Sequence, residues 1–250
     1  MIEIRDVYFT YLLAGVWGVS AVAYVMFGAS RRSERVRSIG GSVLLGESVM
    51  NWTYWMTDPV VRTLIGADIT ANTLTWCSLV LGLGAGVALG FGWFGLACLL
   101  ATCSTIGDIL DGQVARLTHT GSDRGELLDA AVDRYTELAF VAGLIVYFRA
   151  SLPLVLLGLA TLQACMMVSY ASAKAEALQV TPPRGLMRRH ERGAYLITGV
   201  GLTSLFGDRL AALCDACPRE LPAILAMSMV AVVGNLAAVQ RLVRIGRAIP

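Results

Sequence analysis

Residues Gly107 to Glu137 read GDILDGQVARLTHTGSDRGELLDAAVDRYTE and carry two pairs of aspartates. Asp108 and Asp111 are three residues apart, and Asp129 and Asp133 are four residues apart. On a helix, either spacing projects both side chains from one face, so two neighbouring helices can aim four carboxylates at one point. Apolar runs surround both pairs, and the sequence therefore predicts a cluster of negative charge inside a membrane.

The composition agrees with a membrane protein. Of the 250 residues, 56% are hydrophobic and 15% are charged, and the mean hydropathy is +0.65. A soluble domain carries about 25% charged residues. The net charge of +2 is too small to indicate a nucleic-acid partner.

Seven apolar blocks are long enough to cross a bilayer, which takes about 20 mostly apolar residues. They are approximately 8–29, 73–92, 94–113, 127–148, 152–173, 193–212 and 221–241. Between the first two blocks, Glu47 to Ile65 mixes polar residues with Trp52, Tyr54 and Trp55. This segment favours an amphipathic helix at the membrane interface, with an ordinary connecting loop as the alternative.

Basic residues follow the first, third, fifth and seventh blocks, and the alternate connections hold far fewer. They are Arg31, Arg32, Arg35 and Arg37, then Arg116, His119 and Arg124, then Lys174, Arg184, Arg188, Arg189 and Arg192, then Arg241, Arg244 and Arg247. By the positive-inside rule, the N-terminus lies outside and the C-terminus inside. The aspartates then lie near the cytoplasmic ends of their helices.

The six cysteines form no framework. Cys214 and Cys217 have C-x-x-C spacing, but no second pair and no nearby histidine supports a metal or redox site. Whether the two form a disulfide is left open.

Carboxylates at membrane depth cost roughly 2.5 kcal/mol or more each, so they indicate a functional site. Divalent cations relieve their repulsion, and oxygen ligands suit magnesium. Two metals about 3.5–4 Å apart would stabilise the attacking and leaving oxygens of a phosphoryl displacement. Gly112 and Gly125 allow close approach of a phosphate, and Arg116 can bind a diphosphate through two hydrogen bonds.

The pattern D-x-x-D-G-x-x-A-R-x8-G-x3-D-x3-D resembles the defining motif of the CDP-alcohol phosphatidyltransferases. Its eight fixed positions are Asp108, Asp111, Gly112, Ala115, Arg116, Gly125, Asp129 and Asp133. The resemblance extends over roughly residues 47–245. It implies an all-α integral membrane fold. Residues 41–250 would form a CDP-alcohol phosphatidyltransferase domain, which consists of a six-helix bundle and an interfacial amphipathic helix. Residues 1–40 would add one N-terminal transmembrane helix and a basic loop.

The resemblance implies a role for each motif residue. Asp108 and Asp129 would bridge two Mg²⁺ ions (Mn²⁺ is the alternative), Asp111 would bind one ion, and Asp133 would bind the other and act as general base. Ala115 and Gly125 belong to the structural motif. The CDP-linked lipid donor would contact Gly112, Arg116 and Ser122.

The segment Ile69 to Thr75, ITANTLT, resembles the family's I-T-P-N-x-L-T, with Ala71 in place of the proline. It implies that Ala71, Asn72, Thr73 and Leu74 contact the nucleotide. Thr70 and Asn72 could equally cap a helix.

Two later segments bear on the acceptor. Ser169 to Glu176, SYASAKAE, and Gly185 to Arg192, GLMRRHER, are similar to segments of phosphatidylinositol-phosphate synthases, although Ser172 and His190 depart from the usual lysine and proline. The similarity implies a phosphorylated acceptor bound by Lys174, Arg189, Arg192 and Arg241. A plain positive-inside loop is the alternative.

The expected function is transfer of a phosphatidyl group from a CDP-linked lipid to the hydroxyl of a small polar alcohol, with release of CMP. Inositol phosphate is the favoured acceptor, and glycerol 3-phosphate and serine are the alternatives. An ion or proton transporter is the alternative from another class. We expect a bacterial or archaeal cell membrane with the site facing the cytoplasm, and a homodimer is compatible with the resemblance.

Overall fold

The structure, a computed structural model, describes residues 2–28, 46–180 and 187–249. Over these ranges the chain forms eight α-helices, and the predicted all-α fold is confirmed. The helices are α1 (Ile2–Ala23, continued by a π-helical turn at Tyr24–Gly28), α2 (Gly46–Gly66), α3 (Ala71–Gly90), α4 (Phe94–Leu117), α5 (Asp123–Tyr147), α6 (Leu152–Ala177), α7 (Arg189–Leu213) and α8 (Leu221–Ala248). Five of the predicted cytoplasmic arginines lie outside the described ranges: Arg31, Arg32, Arg35, Arg37 and Arg184.

Six helices have the length and apolar composition of a membrane span. They are α1 with its π-helical turn, α3, α4, α6, α7 and α8. The remaining predicted span, 127–148, corresponds to α5, whose 25 residues include Asp129, Asp133, Arg134 and Glu137. These charges lower the hydropathy of α5, which packs along α3 and α6 instead of standing alone in lipid. The protein is an integral membrane protein, as predicted.

The segment predicted as an interfacial helix forms α2, and its two faces differ. Val61 is fully buried and packs with Leu110 and Val114 of α4. Asp58 and Arg62 form an exposed ion pair beside this buried residue. One apolar face of α2 therefore rests on the helix that carries the first aspartate pair.

Two glycines allow α3 and α5 to pack closely. A Cβ atom at Gly86 would overlap the backbone carbonyl of Ala139, and one at Gly143 would overlap the backbone carbonyl of Gly86. Small residues of this kind let helix backbones approach within membranes, where packing replaces the hydrophobic effect as the source of association. The contact fixes α5, and with it the second aspartate pair, against α3.

Cys214 and Cys217 form a disulfide between α7 and α8, with their Cα atoms 5.3 Å apart. The question that the sequence left open is thereby answered. The bridge closes the turn that joins the two helices at the end of the bundle opposite the aspartates.

We predict that Gly86→Val destabilises the bundle, because the added side chain meets backbone that cannot move aside. Overpacking costs roughly 1–3 kcal/mol, and more where backbone must shift. Thermal unfolding in detergent should show a lowered Tm. Gly18→Val is the control, since a Cβ atom at Gly18 meets nothing within 4 Å. Equal melting temperatures for the two variants would contradict the close contact.

Candidate metal centre

Three of the four predicted carboxylates meet in one cluster. Asp108 and Asp111 lie near the C-terminal end of α4, and Asp129 lies in the second turn of α5. One carboxylate oxygen from each lies within 4.8 Å of the others, and the Asp111 side chain is buried. Hard oxygen ligands in this arrangement fit a divalent cation such as Mg²⁺ or Mn²⁺.

Asp133 is buried and lies one turn beyond Asp129 on α5. It is not a member of the three-carboxylate cluster. It does line the same cavity, of about 100 Å³, together with Asp108, Asp111 and Glu137. The structure thus brings the fourth aspartate to the site, and its role as metal ligand and general base stays a prediction.

Hydrogen bonds with α2 and α3 position the ligand helix α4. Thr75 Oγ1 donates to Asp111 Oδ2 at 2.6 Å. Gln113 Nε2 donates to Thr57 Oγ1 at 2.7 Å, which ties α2 to the same stretch of α4. A carboxylate oriented in this way loses less conformational freedom when it binds a cation.

The predicted nucleotide-contacting residues gather beside this cluster, where α3 and α5 begin. Ser122 caps α5 by accepting from Gly125 N at 3.2 Å, and Thr70 caps α3 by accepting from Thr73 N at 3.3 Å. A Cβ atom at Gly125 would lie 3.7 Å from Asn72 Oδ1. Residues from two segments that are distant in the sequence therefore lie side by side next to the carboxylate cluster. The alternative interpretation of Thr70 as a helix cap is confirmed.

The other members of the predicted nucleotide site differ in exposure. Asn72 and Thr73 are exposed, whereas Ala71 and Leu74 pack against the apolar cluster of α2 and α4. Arg116 is exposed and lies over Gly112, where a Cβ atom would be 3.0 Å from Arg116 Nη1. Ala115 is half-buried beside them. Contacts with CDP stay a prediction for all of these residues.

Arg192, predicted to bind an acceptor phosphate, is fully buried in an ion pair with Glu137. Its Nε and Nη2 atoms donate to Glu137 Oε1 at 3.0 and 2.9 Å, and Nη1 donates to the carbonyl oxygen of Met187. Arg134 Nη1 lies 3.2 Å from Glu137 Oε2 and donates to Ser169 Oγ. Glu137 thus joins arginines from α5 and α7.

The sequence analysis missed Glu137, Arg134 and Ser169 as members of the site. A signal was present, because Glu137 lies four residues after Asp133 and so on the same face of α5. Ser169 opens the SYASAKAE segment, in which only the lysine was assigned a role. We call Glu137, Arg134, Arg192 and Ser169 the buried ion network.

The remaining predicted acceptor residues lie on α6 and α8. Arg241 is buried and donates to Ser172 Oγ at 3.1 Å, which links the two helices. Lys174 is exposed in the last turn of α6. The Arg189 side chain lies outside the described part of the chain. Phosphate binding by these residues stays a prediction.

Comparison with known proteins agrees with this site. The family model of the CDP-alcohol phosphatidyltransferases matches residues 68–233. A phosphatidylinositol phosphate synthase of Cutibacterium acnes is 30% identical over 195 residues, which cover 76% of this chain and 92% of the relative. A protein of that name from Corynebacterium glutamicum is 35% identical over 157 residues, covering 60% of this chain and 71% of the relative.

Solved structures of a Mycobacterium tuberculosis phosphatidylinositol phosphate synthase share the fold. The complex with manganese and citrate aligns with a TM-score of 0.66 and 25% identity, covering 76% of this chain and 88% of that one. The complex with CDP-DAG aligns with a TM-score of 0.65 and 26% identity, covering 76% and 92%.

Fold and site together define a membrane-embedded transferase with a carboxylate cluster suited to a divalent metal. The chain belongs to the CDP-alcohol phosphatidyltransferase family. A transporter is not favoured. Transport would explain the buried aspartates, but it would not explain why Gly112, Arg116 and Gly125 occur at the spacing of the family motif.

We predict that Thr75→Val weakens divalent-metal binding by about ten- to hundredfold, because losing an outer hydrogen bond frees the Asp111 carboxylate. Mn²⁺ titration followed by electron paramagnetic resonance measures the affinity directly. Thr75→Ser keeps the hydroxyl and should bind as the wild type does. Unchanged Mn²⁺ affinity in Thr75→Val would show that the Thr75 hydrogen bond does not position Asp111.

We predict that Glu137→Gln lowers the free energy of unfolding by about 3–5 kcal/mol, since it leaves Arg192 buried without a counter-charge. The exposed pair of Asp58 and Arg62 is the control, and Asp58→Asn should cost less than about 1 kcal/mol. Unfolding by SDS titration gives both values. A cost for Glu137→Gln as small as that of the control would mean that the buried ion network contributes little to stability.

Proposed function

We propose that this protein transfers a phosphatidyl group from CDP-diacylglycerol to a hydroxyl of inositol phosphate and releases CMP. The main observation behind the proposal is that Asp108, Asp111 and Asp129 lie close together. They lie at the same end of the bundle as the basic residues of α6, α7 and α8. The names of the relatives support the choice of acceptor, and the CDP-DAG complex supports the choice of donor.

In the proposed reaction, Asp133 takes the proton from the acceptor hydroxyl. The hydroxyl oxygen forms a bond to the β-phosphorus of the donor, and the bond from that phosphorus to the bridging oxygen breaks. CMP leaves with the electron pair. Arg116 binds the diphosphate, and Gly112 leaves room for it to approach.

We propose that the site would hold two Mg²⁺ ions and that Asp108 and Asp129 would each bind both of them. Asp111 would bind only the first ion, and Asp133 would bind only the second. The bound ions would supply positive charge next to the phosphate oxygens on which negative charge develops. The manganese complex of the relative supports a divalent ion and makes Mn²⁺ the alternative. Gly112, Arg116, Ser122 and the segment Ala71–Leu74 are proposed to bind the CDP part.

We assign Lys174, Arg189, Arg192 and Arg241 to the phosphate of the acceptor. Lys174 is exposed at the end of α6 and can reach a soluble ligand. Arg192 has Glu137 as its partner in the structure, so a phosphate would have to displace that carboxylate. Glycerol 3-phosphate would meet the same cations, whereas serine carries no phosphate for them to bind.

We further propose that the site faces the cytoplasm of a bacterial or archaeal cell. The described basic residues that follow the third, fifth and seventh predicted spans lie at the carboxylate end of the bundle. The Cys214–Cys217 disulfide lies at the other end, and disulfides persist in oxidising compartments outside the cytoplasm. Residues 1–40 and 41–250 stay as the proposed division of the chain, and the homodimer stays a prediction.

We predict that Lys174→Ala raises the acceptor KM about ten- to hundredfold, because a lost charge-assisted hydrogen bond costs about 1.5–3 kcal/mol. The donor KM should not change. CMP release from CDP-diacylglycerol, with both substrates varied, measures the two constants.

The control is Arg209→Ala, which removes one exposed positive charge from the far end of α7. The same assay with inositol phosphate, glycerol 3-phosphate and serine ranks the acceptors. Faster turnover with serine than with either phosphorylated acceptor, or a Lys174→Ala effect confined to the donor, would rule out the proposed acceptor class.

A further inference from the structure

A large apolar cavity lies between α1, α2, α4 and α7, and the proposed chemistry leaves it unassigned. Its volume is about 830 Å³, and its walls include Leu13, Trp17, Met50, Ile106, Ile109 and Leu205. Ligand pockets in proteins typically measure about 300–1,000 Å³ and are lined mainly by apolar side chains. The size and lining fit a hydrocarbon chain.

The cavity adjoins the metal centre. Thr105, His190 and Ile197 line both this cavity and the smaller one that holds the aspartates. Ile106 and Ile109 flank Asp108 on α4, so one helix carries both linings. A lipid whose phosphates lie at the carboxylates would therefore have this cavity within reach of one of its chains.

The wall formed by α1 is held in place at several points. The Asp6 carboxylate accepts hydrogen bonds from Gly95 N and Leu96 N, at 2.7 and 2.9 Å, where α4 begins. Thr10 Oγ1 donates to Ser204 Oγ of α7. Further along, Trp17 packs edge-to-face on Trp52 of α2, with ring centroids 4.9 Å apart. These contacts fix the distance between α1 and the bundle.

We propose that α1 closes a binding cavity for one hydrocarbon chain of the donor lipid and so selects which chains the enzyme accepts. This inference rests on the proposed CDP-lipid donor. The helix α1 lies outside residues 68–233, which match the family model. This wall therefore lies outside the part of the chain that the family model covers.

Selection in this cavity depends on shape. The chain comes from a bilayer that is as apolar as the cavity, so its transfer yields little hydrophobic gain. What differs between lipids is the number of close van der Waals contacts and the presence of steric overlap. A side chain that fills the cavity should exclude long chains and leave short ones unaffected.

The test uses Ala14→Phe, because Ala14 lies on the cavity face of α1. Binding of CDP-dioleoylglycerol and of CDP-dihexanoylglycerol is measured in nanodiscs by displacement of radiolabelled donor, with no acceptor present. We expect Ala14→Phe to weaken binding of the dioleoyl donor by about ten- to hundredfold, the range that overpacking produces. Binding of the dihexanoyl donor should stay within about twofold.

Two further variants complete the test. Thr198→Phe adds bulk to the cavity from α7 and should reproduce the effect if Ala14→Phe does not fold. Val19→Phe adds the same ring at a position of α1 that is 72% exposed, and it should bind both donors as the wild type does.

Equal losses for the two donors, or no loss for the dioleoyl donor in either cavity variant, would overturn the chain-selecting role while leaving the proposed function intact. Absence of binding of both donors to the wild type would overturn the proposed function and this inference with it.

Discussion

Burying carboxylates at membrane depth costs free energy unless positive charge compensates them. Asp108, Asp111 and Asp129 converge within 4.8 Å, a separation at which carboxylates repel strongly. Glu137 lies close by on α5, and there Arg134 and Arg192 provide the compensation. The site therefore contains one carboxylate that two arginines neutralise, Glu137, and a cluster of three carboxylates that suits a divalent cation.

The rest of the bundle fixes the positions of these carboxylates relative to one another. The glycine contact of α3 with α5 fixes the second aspartate pair, and Thr75 ties α3 to the first pair through Asp111. The helix α3 thus contacts both ligand-bearing helices. A shift of α3 would therefore change the distance between the two pairs of carboxylates.

Much of this arrangement could be predicted from the sequence, because helical periodicity fixes which residues share a face. The convergence of Asp108, Asp111 and Asp129 followed from their spacing, and the apolar blocks predicted the spans. The start of α5 at Asp123, ahead of the predicted 127, depends on the cap from Ser122, which hydropathy does not register. The sequence could not predict the ion-pair partner of Arg192, because an arginine in a basic segment can face water, a phosphate or a carboxylate. The cavity beside α1 was also out of reach, because a void depends on how whole helices pack.

The position of α1 shows how few contacts are needed to hold an added helix in a membrane. Lipid is as apolar as the helix surface, so association depends on packing and on hydrogen bonds. Asp6 supplies hydrogen bonds at the start of α4, and Trp17 supplies ring packing on α2. Because these contacts are spread along α1, the bundle and the helix need not touch everywhere between them. Space is left between these contacts, and α1 therefore encloses an apolar cavity next to the metal centre.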